Sequence, residues 1–361
     1  MSEVRKKVRI VGIGEAGGAI PDPEASLETT IFAAASAALA DAGLRRDDLD
    51  GIVLAASDQT DGRAISSMLT SGPAGAYLND EINAASSPGH ALALAWMQVL
   101  SGTHRRVLIS SWGKASESTF GVQAAERLSA EPFYERDGGA SALAAAAIQA
   151  AVHRAGSGDP EKAARAAATL AARNNTTVTA EAVAASDYVA SPLRSLEVPA
   201  EIDGAFSLLL ERADLGSEGV DIGGIGWRSD IGRLGERSLG RLEHLDHAVA
   251  DAYGRAGIDD PGGQVDTWYL HDYTPDAEIL AYAPFGVCAA GDALDLALEG
   301  SPKVNPDGGS LRGEAPFGGP LRKVLEATRA IRAGSAGRAV AHLTTGFAGQ
   351  FQTAVVLGAK S

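Results

Sequence analysis

The sequence predicts an α/β protein built from two similar halves. Three observations carry that expectation. Strand-like runs of Val, Ile and Leu alternate with Ala- and Leu-rich helical stretches, the pattern of helices layered on a sheet. Helix, strand, polar elbow and strand occur in that order in both parts of the chain, which suggests an internal duplication too diverged to read as a sequence repeat. No Gly/Ser- or Pro-rich linker separates the parts, so they are expected to share one core. The halves are assigned to residues 1–220 and 221–361, with a helical insertion at about 113–200.

The elements follow in order. KVRIVGIGEAG reads as a β-branched strand ending in glycines. SLETTIFAAASAALADAGL is a helix with Ser26 as N-cap, Glu28 and Thr29 in its first turn and Gly43 near its end. LDGIVLAAS is another buried-type strand. EINAASSPGHALALAWMQVLSG, residues 81–102, is a strand end, a small-residue elbow at Ser86 and Ser87, and a helix. RRVLISSWG is the next strand. The insertion holds FYERDGG, two Ala-rich helices and SDYVASPLRSLEVP; DGAFSLLLERA then returns to strand. RLEHLDHAVADAYGRAG is a helix, VDTWYLHDYT a strand ending in polar groups, and DAEILAYAPFG and GDALDLALEG are helical. PLRKVLEATRAIRAG is an amphipathic helix, and RAVAHLTTGFAGQFQTAVVLG a glycine-interrupted strand pair.

At 361 residues, 45% hydrophobic and 21% charged, the chain is long enough for a large core. A net charge of −15 argues against a nucleic-acid surface. An anionic ligand would need local Lys or Arg residues, helix N-termini or a partner protein to offset that charge. Cys288 is the single cysteine, which excludes a disulfide framework or Cys-rich metal site within one chain and fits a reducing cytoplasm. MSEVRKKVRIVGIGEAGG has no long apolar region, so no secretory signal is expected. No stretch approaches eighteen uninterrupted apolar residues, so neither is a membrane span. GIGEAGG does not match the dinucleotide-binding glycine pattern.

The order of motifs resembles the thiolase superfamily, most of all its sterol-carrier-protein-type and lipid-transfer-type members, over nearly the whole chain. VRIVGIGEAG resembles the opening strand and AALADAGLRRDDLDGIVLA the first helix–strand unit. AASSPGHALALAWMQVLSGTHRRVLISSWGKASES resembles the nucleophile elbow with its helix and following strand, and EIDGAFSLLL the close of the first half. LHDYT resembles the His-Asp-x-Phe region, KVNPDGGSLRGEAPFGG the segment from Asn-Pro-x-Gly-Gly to Gly-His-Pro, and TTGFAGQFQTAVVLG the closing glycine strand. The resemblance implies a thiolase-like five-layered αβαβα fold of two similar halves, a homodimer, and acyl thioester substrates of coenzyme A with no tightly bound cofactor. It also implies the small OB-fold, zinc-ribbon partner protein with which some lipid-transfer-type relatives work.

Ser86 aligns with the thiolase nucleophile, where a cysteine is chosen because a thiolate forms near neutrality. The histidine that activates that cysteine falls on Ala315, beside Glu314. The second cysteine, expected between Gly346 and Gln350, is missing, and Cys288 is assigned to packing. His271 stands where the family places an oxyanion-hole histidine; Asp272 is a candidate to orient it, and Tyr273 is a candidate acid or base. The N–H groups of Ser86, at the helix N-terminus, and of Gly346 to Gly349 are candidates for an oxyanion hole, and Asn305 for holding a water or a turn. His90, one helical turn past Ser86, could reach the elbow or pack in the core. His153, His244 and His247 read as solvent-facing. His244 and His247 lack a third ligand, so no metal is expected.

Three functions are left open. One is an aldolase-like carbon–carbon lyase acting on an acyl-CoA, with Glu314, Tyr273 or His271 as base. The second is an acyltransferase related to ketosynthases, with Ser86 as nucleophile and His90, His271 or Glu314 as its base. The third is a non-catalytic thiolase-fold subunit of a lipid-metabolism complex.

Overall fold

Glycines on two strands set the spacing of the architecture. The structure, a computed structural model, describes residues 7–18, 22–62, 65, 67–118, 121–175 and 177–359. The basic Arg5 and Lys6 of the N-terminal stretch lie outside the described residues. The strands are β1 (Val8–Gly17), β2 (Gly51–Ala55), β3 (Asp80–Asn83), β4 (Arg106–Lys114), β5 (Tyr188–Ala190), β6 (Leu193–Arg194), β7 (Asp203–Arg212), β8 (Val220–Ser229), β9 (Thr267–Tyr269), β10 (Arg338–Thr345) and β11 (Phe351–Gly358). Among the described residues, β5 and β6 pair by themselves and the others form one mixed sheet in the order β3-β2-β4-β7-β1-β8-β11-β10-β9.

The strands before residue 212 lie on one side of that sheet and those after 220 on the other. They meet at β1 and β8 through only three residue pairs, Val8 with Ile222, Arg9 with Asp221 and Ile10 with Val220. Two helices, Pro88–Ser101 and Arg322–Arg332, contact strands of both sides. Ala91, Leu92, Ala95 and Val99 of the first and Val324, Leu325 and Ala327 of the second are closed from solvent there, beside Val53, Ile109 and Leu208 from one side and Ala341, Leu343 and Val355 from the other. Each fully buried Val or Leu side chain contributes about 1.5–3 kcal/mol relative to exposure. Helix Leu27–Asp41 covers the outer face of β1 and β7, and helix Glu243–Ala256 that of β8 and β11. Helix, strands, helices, strands, helix are the five predicted layers.

Gly12 and Gly14 of β1 admit helix Leu27–Asp41: a Cβ there would lie 2.1 Å from the Ala38 oxygen and 2.0 Å from the Ala34 oxygen. Gly224 and Gly226 of β8 do the same for helix Glu243–Ala256, where a Cβ would lie 2.2 Å from the Ala252 oxygen and 1.9 Å from the Ala248 oxygen. The two strands share V-x-I-x-G-I-G, at Val8–Gly14 and Val220–Gly226. A short repeat is therefore present after all, contrary to expectation. It escaped notice because the glycines of β8 remove the β-branched signature of a strand.

The elbow forms for local reasons. Ser87, fully buried, caps helix Pro88–Ser101 by accepting the Gly89 N–H at 3.1 Å, Pro88 supplies a preset first turn, and Gly102 ends the helix at φ +87°. Ser86 precedes the cap, so it is not the helix's first N–H as expected. Between β4 and β7 the chain runs through helices Val122–Glu126, Ala142–Gly156, Pro160–Asn174 and Ala180–Ala185. Arg154 of the second ties them to the C-terminal part by donating to Asp276 and to Glu197, each at 2.7 Å.

Candidate active site

A cavity of about 560 Å³ lies where the elbow, the glycine turn after β10, the segment after β9 and the insertion meet. Ser86, His271, Tyr273, Glu314, Gly346 and Gly349 all line it, so six positions named from sequence converge. Asn305 does not line it. Its side chain donates to Glu278 at 3.0 Å, its backbone N–H is held by Trp268, and at φ +43° it forms a buried turn.

Strand β9 stops at Tyr269, earlier than expected, so His271, Asp272 and Tyr273 stand on an irregular segment beyond it. His271 Nε2 lies 3.0 Å from Glu314 Oε1, with both residues buried. Arg322 stands behind, its Nη2 3.7 Å from Glu314 Oε2. His271 Nδ1 makes no hydrogen bond. A buried polar atom left unpaired costs about 1–3 kcal/mol, so a ligand that pairs it gains on binding. Asp272 turns the other way, contrary to its expected role with His271: it accepts from Asn174 at 2.8 Å and from the Ser310 N–H at 2.7 Å. Glu314, not Ala315, faces the cavity; Ala315 is fully buried in the core between the sheet sides.

Burial first, and then the Glu126, Glu201 and Glu314 carboxylates, push the Tyr273 phenol far above its ordinary pKa. Tyr273 is therefore a hydrogen-bond donor here and not the base for which it was also a candidate. At the elbow, Ser86 Oγ lies 3.2 Å from His90 Nδ1, and burial lowers the pKa of His90, so the neutral ring can accept the hydroxyl proton. Among the described residues no carboxylate holds the far side of that ring, as the third member of a catalytic triad would. Thr345 Oγ1 donates to the Ser86 carbonyl at 3.2 Å and fixes the elbow's backbone.

The glycine turn is locked by its carbonyls. Gly349 O accepts from His244 Nε2 at 2.7 Å and from Gln352 Nε2 at 2.8 Å, and Ala348 O from Arg237 at 3.2 Å. The Gly349 N–H is already donated to Gly346 O at 3.3 Å, which removes it as an oxyanion donor; Gly346, at φ +76°, stays a candidate. His244 is thus buried, contrary to expectation, whereas His247 is exposed. His153 is also turned inward, its Nδ1 2.8 Å from Asp276 Oδ1. Among the described residues no group of three or more His, Cys, Asp or Glu is placed to hold a metal ion. Cys288 packs against the outer C-terminal cluster, away from the cavity, and burial followed by Asp292 pushes its thiol up to about 11.

Two lining residues were not singled out from sequence. His342 of β10 is buried, and burial pushes its pKa down to about 3. Because the Gln352 amide nitrogen serves Gly349, its Oε1 faces His342 Nε2 at 2.6 Å, which assigns the proton to Nε2. A histidine and a glutamine on adjacent β-branched strands were the available signal. Glu126 was hidden in the insertion. Burial, then the Glu201 carboxylate, pushes it up to about 7, with the Ala142 N–H opposing.

The fold is thiolase-like over the full chain, with no thiol at the site. Among solved structures it is similar to the Ltp2–ChsH2(DUF35) aldolase, at 19% identity and TM-score 0.78 over 98% of each chain. It is also similar to human mitochondrial 3-ketoacyl-CoA thiolase in complex with CoA, at 12% identity and TM-score 0.71 over 99% of each chain. A third is the monomeric SCP2-thiolase-like protein type 1 of Mycobacterium smegmatis, at 19% identity and TM-score 0.71, covering 100% of this chain and 78% of that one. No protein-family model and no curated protein matches the sequence. No helix of the described residues is long and apolar enough to cross a membrane.

Proposed function

We propose that the protein cleaves or forms a carbon–carbon bond in a β-hydroxyacyl thioester of coenzyme A by retro-aldol chemistry, without an acyl-enzyme. The observation that supports this best is the buried His271–Glu314 pair on the wall of a cavity that contains no thiol. Retro-aldol cleavage needs a donor for the thioester oxygen as it becomes an enolate, and a base for the β-hydroxyl. In the reactive pair one proton lies between Nε2 and Oε1, and a second on His271 Nδ1 donates to the thioester oxygen. Tyr273 adds a neutral donor beside it, and the Gly346 N–H is a further oxyanion donor. Ser86 is a polar lining.

Among the described residues the lining carries five glutamates, Glu126, Glu131, Glu135, Glu236 and Glu314, against a single arginine, Arg233. The phosphates of coenzyme A therefore find no cationic clamp there, which supports a small OB-fold, zinc-ribbon partner that supplies positive charge; in the similar aldolase, Ltp2 is joined by ChsH2(DUF35) as a second component. Two similar halves divided at residue 220, a homodimer and a reducing, cytoplasmic setting complete the reading. Incubation with β-hydroxyacyl-CoA thioesters is expected to release a carbonyl compound and a shorter acyl-CoA. His271→Ala is expected to lower that rate about 100- to 1,000-fold, the usual cost of one oxyanion donor. Unchanged cleavage by that variant would sink the reading.

The 3.2 Å contact of Ser86 with His90 favours acyl transfer on Ser86 as a second reading. An acyl group found on Ser86 by mass spectrometry after CoA-thioester treatment would establish it in place of the first.

A further inference from the structure

The retro-aldol reading still lacks a base. Tyr273 is held protonated and Glu314 is committed to His271 and Arg322. The other lining carboxylates are also engaged. Glu131 accepts the Phe133 and Tyr134 N–H groups, Glu135 accepts the Leu234 N–H at 2.8 Å, and Glu236 pairs with Arg233 at 2.9 Å. Glu126 is different. It ends helix Val122–Glu126 on the cavity wall, and among the described residues no cation acts on it: the groups that do are Glu201, which opposes its charge, and the N–H of Ala142 at the start of helix Ala142–Gly156. Tyr273, which shares the cavity, feels its charge.

The charged groups on the elements packed around Glu126 are Asp58 and Asp61 on the neighbouring short helix and Arg127 next in the chain. Asp61 already accepts from Trp112 at 3.1 Å. His153 and Arg154 lie at the far end of helix Ala142–Gly156, bound to Asp276.

Resting on the retro-aldol reading, we propose that Glu126 carries the proton of the reaction. Its carboxylate takes the β-hydroxyl proton. The C–O bond closes to a carbonyl, the Cα–Cβ bond breaks, and its electron pair passes into the enolate held by His271. The Glu126 carboxyl then returns the same proton to Cα. One β-hydroxyacyl thioester becomes one carbonyl compound and one acyl thioester, with no co-reactant. A half-buried carboxyl on the cavity wall, with no described cation to hold it ionised, suits both halves of that transfer, because its pKa of about 7 leaves both protonation states populated near neutrality.

The test uses propionyl-CoA in D₂O, where exchange at C2 reports the last step run backwards. Exchange by the wild type is expected to rise with pH through about 7 and level off. Glu126→Gln is expected to lose that limb and about 100-fold or more of the rate, and Glu126→Asp to recover part of both. Melting temperature gives a substrate-free readout. The folded pKa is raised from 4.5 to about 7, so the stability linked to Glu126 is full below 4.5 and lost as pH rises through 7. Glu126→Gln is therefore expected to gain on the wild type between pH 5 and 8.5. Parallel melting profiles would overturn the proposal by removing its buried carboxyl. Wild-type exchange that persists in Glu126→Gln would overturn the role of Glu126 and leave the retro-aldol reading standing. Absence of both exchange and cleavage in the wild type would bring down that reading, and this role with it.

Discussion

Two buried charged clusters sit on opposite sides of the segment Leu270–Thr274. On one side, Asp272 is held by Asn174, Ser310 and Lys323, with Lys323 Nζ 3.4 Å away. Glu278 beside it accepts from Tyr282 at 2.7 Å, Arg173 at 3.1 Å and Asn305 at 3.0 Å. On the other side, His271 and Glu314 each keep a buried atom without a hydrogen bond, and among the described residues no cation acts on Glu126. In one cluster every carboxylate oxygen is paired, though Arg173 Nη1 and Ser310 Oγ are not, and the pairs tie insertion, C-terminal helices and segment together. The other is unfinished and faces a cavity. Carboxylates with every oxygen paired mark structure, and a carboxylate left partly unpaired at a cavity marks chemistry.

The contrast breaks first at Lys323. Burial works against its ammonium, but Glu326 and Asp272 hold its pKa above the ordinary value. Lys323→Ala leaves Asp272 buried without that cation and is expected to cost about 3–5 kcal/mol of stability in urea unfolding. A loss under about 1 kcal/mol would mean that this cluster does not carry the fold.

A matched pair of methyl insertions sharpens the contrast. A Cβ on Gly309 would lie 1.7 Å from Asp272 Oδ2, and one on Gly319 would lie 2.0 Å from Glu314 Oε1. Gly309→Ala is expected to cost about 1–3 kcal/mol of stability. Gly319→Ala is expected to push the Glu314 carboxylate off His271 into the adjoining cavity, so it lowers cleavage with a smaller change in melting. The reverse assignment would exchange the roles of the two clusters.

The smallest effect is expected at Ser86. Ser86→Ala removes a half-buried hydroxyl and is expected to change stability within about 0.5 kcal/mol and cleavage by less than about threefold. Loss of all turnover would move the chemistry from His271 to the elbow.

Much of the fold was legible because periodicity and caps report backbone geometry locally. Ser26 does cap helix Leu27–Asp41, and strands β4 and β7 stand where their apolar residues place them. Strand β8 was overlooked because its glycines answer to a helix further along the chain. The site was legible only where a motif marked it, at Ser86, His271 and Glu314. Glu126 carries no local signal, since its environment is made by Glu201 and Ala142, 75 and 16 residues away in sequence. The inward turn of His244 was equally hidden, because its partner is the Gly349 carbonyl.

The glycines of β1 and β8 have a wider consequence. Each receives a carbonyl oxygen of the outer helix in a notch that any side chain would fill, so the helix is seated by backbone against backbone. Such a seat is indifferent to the reaction carried out elsewhere in the molecule. Side chains lining the cavity can change without touching it. V-x-I-x-G-I-G therefore works as a spacer in this chain: one short pattern, used twice, sets how closely each outer helix lies on its strand.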